Sequence, residues 1–257
     1  MKKVTVFFLL IVFVFVQACQ SLSIDQAGAR ISACSEIVLE IRRLQSAELP
    51  DHLLMTGEKR GGEFDVKQYF TALPHLSMRE GYALDYVYQF DDLGGYPILY
   101  SHLVDQAPFA SAADIPPNTP LLDFHNYLEV EDTEQGYFEY VVMDLMASQF
   151  YLYWHANYND DLIVCNRQQV YDIVEQISSG ESGYTVLNSA GQAQARTLRN
   201  IVPIVRLTGD VAIVEVVTFT KWGGFYRYTY TISRQVPHTI LDVQQENLLP
   251  YDCGIVF

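Results

Sequence analysis

Residues 201–244, IVPIVRLTGDVAIVEVVTFTKWGGFYRYTYTISRQVPHTILDVQ, decide the fold. Four runs within them, 201–207, 211–220, 225–233 and 239–244, are rich in β-branched and aromatic residues and either alternate or run apolar. They are separated by Thr208-Gly209-Asp210, by Trp222-Gly223-Gly224 and by a turn at Pro237. Short apolar runs punctuated by turn residues predict an antiparallel meander.

Upstream, Tyr82, Leu84, Tyr86, Tyr88 and Phe90 alternate with Ala83, Asp85, Val87 and Gln89, another strand pattern. Asp91-Asp92-Leu93-Gly94-Gly95 turns this run into a second strand over 96–101, where Pro97 argues for a sheet edge. The segment Phe90 to Tyr96 echoes Phe219 to Phe225 at an offset of 129 residues, with a glycine pair and flanking aromatics in both. A weak internal duplication, 31–110 against 160–240, is one reading; ordinary hairpin chemistry is the plainer one.

Helices are expected in three places. Ser23 and Gln26 fit a capping box, and Ile24, Ala27, Ile31, Cys34, Val38, Ile41 and Leu44 then recur at helical spacing until Pro50. Asp65 caps a short helix over 65–73 that Pro74 ends, and Asn166 caps another through Ile177, ended by Gly180. Residues 105–120, with four prolines, read as a long surface loop, and 178–195 as a linker. The stretch 127–165 looks strand-like, including 137–146, with a hairpin of 150–155 and 162–165 around 156–161. Together these predict a single α+β domain: an amphipathic N-terminal helix and one or two more packed on a large, mainly antiparallel sheet with a C-terminal meander.

The first residues carry an address. Lys2 and Lys3 precede thirteen residues, 4–16, in which Thr5 alone is polar, and Val16-Gln17-Ala18-Cys19 follows. A short positive region, a brief apolar core and a small residue before the cut make a secretory signal, too short for a comfortable membrane span. The last four residues resemble the lipobox of bacterial lipoproteins. The resemblance implies cleavage after residue 18, acylation of Cys19 and a 19–257 domain tethered to a bilayer outside the cytoplasm. A helix opening at Ser23 would hold that domain close to the membrane.

The chain carries 16 basic and 31 acidic residues, net −15; removing 1–18 would leave it at −17. Such a charge speaks against nucleic acid as a partner, since binding it needs basic patches. With Cys19 given to lipid, Cys34, Cys165 and Cys253 remain, enough for one disulfide. Cys165–Cys253 is the expected pair, with Cys34 a small buried hydrophobe on its helix.

Chemistry-bearing motifs are sparse. None of the six histidines forms His-Glu-x-x-His, and Gly-x-Ser-x-Gly, Ser-x-x-Lys and cofactor signatures are missing. Gly-rich residues 56–63, with Lys59 and Arg60, could form an anion nest but lack the ending of a phosphate loop. The densest polar and aromatic cluster is Trp154, His155, Asn157, Tyr158, Asn159 and Asp161, to which Trp222 can be added. Stacking rings among hydrogen-bonding amides suit a glycan or a protein ligand. A weaker reading makes Asn157, Asn159 and Asp161 hard-cation ligands, although the glycine and distal glutamate of an EF-hand are missing. The leading expectation is therefore a membrane-tethered binding module. The alternative is an extracytoplasmic, glycosidase-like hydrolase using paired carboxylates. Asp123, Glu129, Asp144 and Asp242 are its first candidates, because they fall in apolar strand-like runs where burial would raise a pKa.

Overall fold

A computed structural model describes residues 28–91, 93–180 and 184–255. The signal, Cys19 and the start predicted at Ser23 lie outside these residues. The fold is α+β. In chain order it runs β1 (Ala29–Arg30), α1 (Cys34–Gln45), α2 (Asp51–Thr56), a 3-10 turn Val66–Gln68 leading into α3 (Tyr69–Ala72), and β2 (Leu76–Met78). Next come β3 (Tyr82–Asp91), β4 (Gly94–Leu103), β5 (Leu128–Val130), α4 (Glu134–Met146), β6 (Tyr153–Trp154) and β7 (Leu162–Val164). The chain finishes with α5 (Arg167–Ser179), α6 (Ser189–Thr197), β8 (Ile204–Thr208), β9 (Val211–Thr220), β10 (Gly224–Ser233) and β11 (Ile240–Pro250).

The predicted meander is the main sheet, ordered β1-β8-β9-β10-β11 and antiparallel throughout. β7 adds to it by pairing Val164 and Leu162 with Val217 and Phe219, so β8 and β7 occupy successive stretches of one edge of β9. Alternation along β9 explains why it reads apolar on both sides. Ala212, Val214 and Val216 enter a large core with α1, α3 and α4, whereas Val217 enters a second core with α5 and α6. β3 and β4 make a separate hairpin, joined at Gly94 and Gly95 by β6, and Pro97 lies on the stretch of β4 that has no further strand beyond it.

Several expectations are overturned. Residues 137–146, read as strand, belong to α4: nine of its thirteen residues are buried, so its apolar residues do not confine themselves to one face. Thr133 caps it by accepting from the Gly136 N–H. The helix expected to run on through Ile31 is interrupted, and α1 opens at Cys34, because Ala29 and Arg30 are extended and paired with Val205 and Ile204. Residues 150–165 are no hairpin; β6 and β7 belong to different sheets. The predicted linker contains the start of α6, capped by Asn188. Cys253 is buried and free, and the disulfide joins Cys34 to Cys165, a separation of 131 residues that ties the start of α1 to the end of β7. Cys34 does lie on the buried face of its helix, so only its partner escaped the sequence. The helices over 65–73 and 166–177 form as expected, with Asp65 and Asn166 accepting at their N-termini and Gly180 left-handed at the end of α5. Among the described residues no helix is long and apolar enough to cross a membrane.

Candidate functional site

The predicted cluster is built on the segment that bridges the two glycine-pair turns. β6 lays Trp154 and Tyr153 against Gly94 and Gly95. A β-carbon on Gly94, at φ 146°, would stand 2.5 Å from the Tyr153 carbonyl oxygen and 3.1 Å from the Ala156 nitrogen, so glycine is what permits this approach. At Trp154 the backbone takes φ 52° and leaves the strand for a 3-10 turn over His155–Tyr158. Asn157 Nδ2 closes that turn on the Trp154 carbonyl at 2.9 Å.

From there the segment is stitched to the second turn. Trp222 Nε1 donates to the Asn157 carbonyl at 3.0 Å, and the Tyr158 and Trp222 rings meet at 4.2 Å. Lys221 Nζ lies 5.1 Å from the Trp222 ring centre. Asp160 accepts from the Thr220 hydroxyl and from the Lys221 N–H at 3.2 Å, and Asp161 from the Thr218 hydroxyl at 3.2 Å. Arg42 reaches the Asp161 carbonyl at 3.0 Å, and Asn159 Nδ2 the Ser148 hydroxyl at 3.1 Å. Burial pushes both carboxyl groups up from the ordinary range, against the lowering effect of these hydroxyls; the Asp160 charge raises Asp161 further.

All seven predicted residues thus meet at one place. Outside this stitching lie exposed side chains that sequence alone did not assemble, Phe90 and Tyr153 on one side of the β3-β4-β6 sheet and Tyr96 on the other, with Tyr158 and the half-buried His155. Phe90, Leu93, Tyr96, Tyr153, Trp154 and Tyr158 are all exposed. Phe90 and Tyr153 approach to 6.2 Å, Trp154 and His155 to 4.8 Å, and His155 and Tyr158 stack at 6.2 Å. A cleft of about 280 Å³ opens between Tyr96, Pro97, Leu152 and Tyr158, with Ser148 and Asn159 on its polar side. That is close to the smallest sites that enclose a small ligand. A larger groove, about 640 Å³, follows the seam between α5 and α6 past Tyr171, Val174 and Ala195, and none of the predicted residues lines it. Tyr96 and Phe90 escaped the sequence reading because alternating strand aromatics are ordinarily core. Their place beside the glycine pair, at the hairpin tip, was the available signal.

The competing sites fare differently. Asn157, Asn159 and Asp161 each hold a separate partner, and among the described residues no group of three or more His, Cys, Asp or Glu side chains is arranged to hold a metal ion. The 56–63 loop does form a nest, but the chain fills it. Glu63 accepts from the Arg60 and Gly61 N–H groups at 2.6 and 2.9 Å and from His52, while Lys59 turns to Asp85 at 2.5 Å. Burial opposes ionisation of Glu63, yet these hydrogen bonds hold its pKa below the usual range. Of the four carboxylates expected in apolar surroundings, Asp123, Glu129 and Asp242 are exposed. Asp144 is partly buried, accepts from the Tyr230 hydroxyl at 2.9 Å and stands 3.4 Å from His125 Nε2, while Asp123 lies 3.8 Å from Nδ1 of the same ring. The imidazole therefore occupies the space between these two carboxylates that a glycosidase leaves for sugar and water. Burial lowers the pKa of His125, against both acids.

The chain matches no protein-family model, no curated protein and no solved structure, so its function has to be argued from these residues.

Proposed function

We propose that this protein is a cell-envelope lipoprotein, anchored through acylated Cys19, whose domain binds a glycan in the aromatic cleft beside Trp154. The observation that carries the reading is the cleft itself, where the exposed rings of Tyr96 and Tyr158 stand with His155 among the amide of Asn159 and the hydroxyl of Ser148. Exposing six large apolar side chains in one neighbourhood opposes folding, since each would gain about 1.5–3 kcal/mol from burial, and such patches mark binding surfaces. Ring faces stack on the apolar faces of sugars, while Ser148, Asn159 and the turn carbonyls meet hydroxyls. The strong acidity of the chain fits a neutral glycan better than an anionic one.

Eight residues separate Cys19 from Gly28, a reach of at most roughly 30 Å when extended. The sheet edge at β1 then lies within that reach of the anchoring bilayer. Cys19→Ser is expected to move the protein from the membrane fraction to the soluble one; retention would sink the anchor. For the ligand, the full chain in detergent is passed over immobilised envelope polysaccharide. Trp154→Ala and Tyr158→Ala are each expected to weaken retention about tenfold. Unchanged retention in both variants, with folding intact, would refute the aromatic site.

A further inference from the structure

The main sheet ends on β11, and among the described residues no strand pairs with its outer edge. Residues 241–247 are seven consecutive exposed positions on a strand of eleven, a length well above the usual five or six. Their backbone pairs with β10 on one side, and among the described residues no other backbone group bonds to them. The opposite end of the sheet is the two-residue edge strand β1, and the far end of β11 is covered where Gln194 Nε2 reaches the Leu248 carbonyl at 3.0 Å. Folded proteins usually blunt an edge of this length with lysine or proline. Here the run Leu241-Asp242-Val243-Gln244-Gln245-Glu246-Asn247 contains neither; its charges are the two acids, a register shift falls at Leu241 at its start, and Leu241 and Val243 stand 58% and 41% exposed.

We infer that the 241–247 edge is a second interaction surface, which takes an extended, basic peptide segment of a partner protein as an added antiparallel strand. Main-chain groups supply the affinity in this mode, and alternate side chains supply the choice of partner. On one face the added strand would continue a surface already laid down. Val243 pairs with Tyr230, Gln245 donates to the Tyr228 hydroxyl at 2.7 Å, and Asn247 pairs with Tyr226. The three rings form a ladder spaced at 6.3 and 6.2 Å. On the other face stand Asp242 and Glu246, of which Arg227 neutralises only Glu246. Charge decides between occupants. If the exposed run paired with itself, Asp242 would stand opposite Glu246 of a second copy, and like charges directly opposite are destabilising. A segment carrying lysine or arginine at alternate positions removes that repulsion, and the net charge of −15 draws it in.

The test uses the full chain in detergent and a fluorescent peptide of about nine residues alternating lysine with valine. Its controls are the same peptide N-methylated at alternate amides and a glutamate-for-lysine version. Binding is followed by anisotropy, and amide exchange is read across 241–247. The lysine peptide is expected to bind and to slow exchange there, with both controls at least about tenfold weaker. Val243→Lys and Asp242→Lys, both at exposed positions, are each expected to weaken binding severalfold with unfolding unchanged. Equal binding of the N-methylated peptide would reduce the effect to bulk charge and overturn the proposal. So would unaltered exchange over 241–247. A dimer already protected there without peptide would replace the partner with a second copy and overturn it equally.

Discussion

The hairpins β3–β4 and β9–β10 are built alike and buried differently. Each has two ten-residue strands, a glycine pair at its turn and an opening glycine pressed against a carbonyl of a third strand. In the first the third strand is the two-residue β6; in the second it is the eleven-residue β11, with β8 and β7 along the other side. Coverage changes the fate of equivalent side chains. Phe90 and Tyr96 are 43% and 40% exposed, whereas Phe225, the counterpart of Tyr96, is fully buried. One local sequence pattern therefore makes exposed surface in one place and core in another, and what separates them is how much sheet lies alongside.

The largest expected effect comes from cutting the link between α1 and β7, the short strand that covers part of the second hairpin. Cys34→Ser with Cys165→Ser releases a loop of 131 residues and should lower unfolding free energy by about 3–5 kcal/mol, read from denaturant midpoints. A loss below about 1 kcal/mol would mean that packing of α1 alone holds it against β7.

Next come the two glycines. A β-carbon on Gly224, at φ 95°, would collide with the Leu249 carbonyl oxygen and stand 2.7 Å from the Tyr251 nitrogen, both on a long, well-held stretch of chain. Gly224→Ala should cost about 3 kcal/mol. Gly94→Ala meets a carbonyl of the short β6, which can shift, so about 1–2 kcal/mol is expected there. It should also change intrinsic fluorescence, because both tryptophans of the chain, Trp154 and Trp222, lie at this site. Equal costs without a fluorescence change would erase the contrast between the hairpins.

Ring truncation probes the same contrast. Trp222→Ala removes an N–H bond to the Asn157 carbonyl and the contact with Tyr158, and should cost about 2–3 kcal/mol. Phe90→Ala at the other turn should cost less than about 0.5 kcal/mol, since the side chain is exposed. A Phe90 variant as damaged as the Trp222 one would make that side chain part of the core.

What sequence could reach follows the same division. Where one face is buried and short turns set the register, as from Ile204 to Ser233, periodicity was enough. It misled at α4, because a helix buried on nearly every side loses its 3.6-residue signature, and Tyr137, Val141 and Val142 favour strands by local preference. It was blind to the cystine, since three cysteines allow three pairings and the choice is made by where α1 meets β7. For the site, Trp154 to Asp161 was legible as a local cluster. Phe90 and Tyr96, some sixty residues earlier, join it through strand pairing that no local pattern records.

The smallest effect concerns a group that only the second hairpin has. Asp161 rests against Thr218 of β9, and its carboxyl is raised above the ordinary aspartate value by burial and by Asp160, despite the Thr218 hydroxyl and Arg42. A raised folded-state pKa means that the native protein binds more protons than the unfolded chain, so this group lowers stability as pH rises through the folded value. Its contribution is most favourable in acid, near and below the unfolded value of about 3.9. Asp161→Asn keeps an oxygen to accept from Thr218 and removes the charge. The variant should be more stable than the wild type at pH 7 by about 0.5 kcal/mol, small because the carboxylate is partly solvated. That advantage should shrink to nothing as pH falls towards about 4. Paired denaturant unfolding at the two pH values measures it. A variant less stable at pH 7 than at pH 4, relative to wild type, would show that the ionised carboxylate holds the segment against β9, and that attraction to Arg42 outweighs burial.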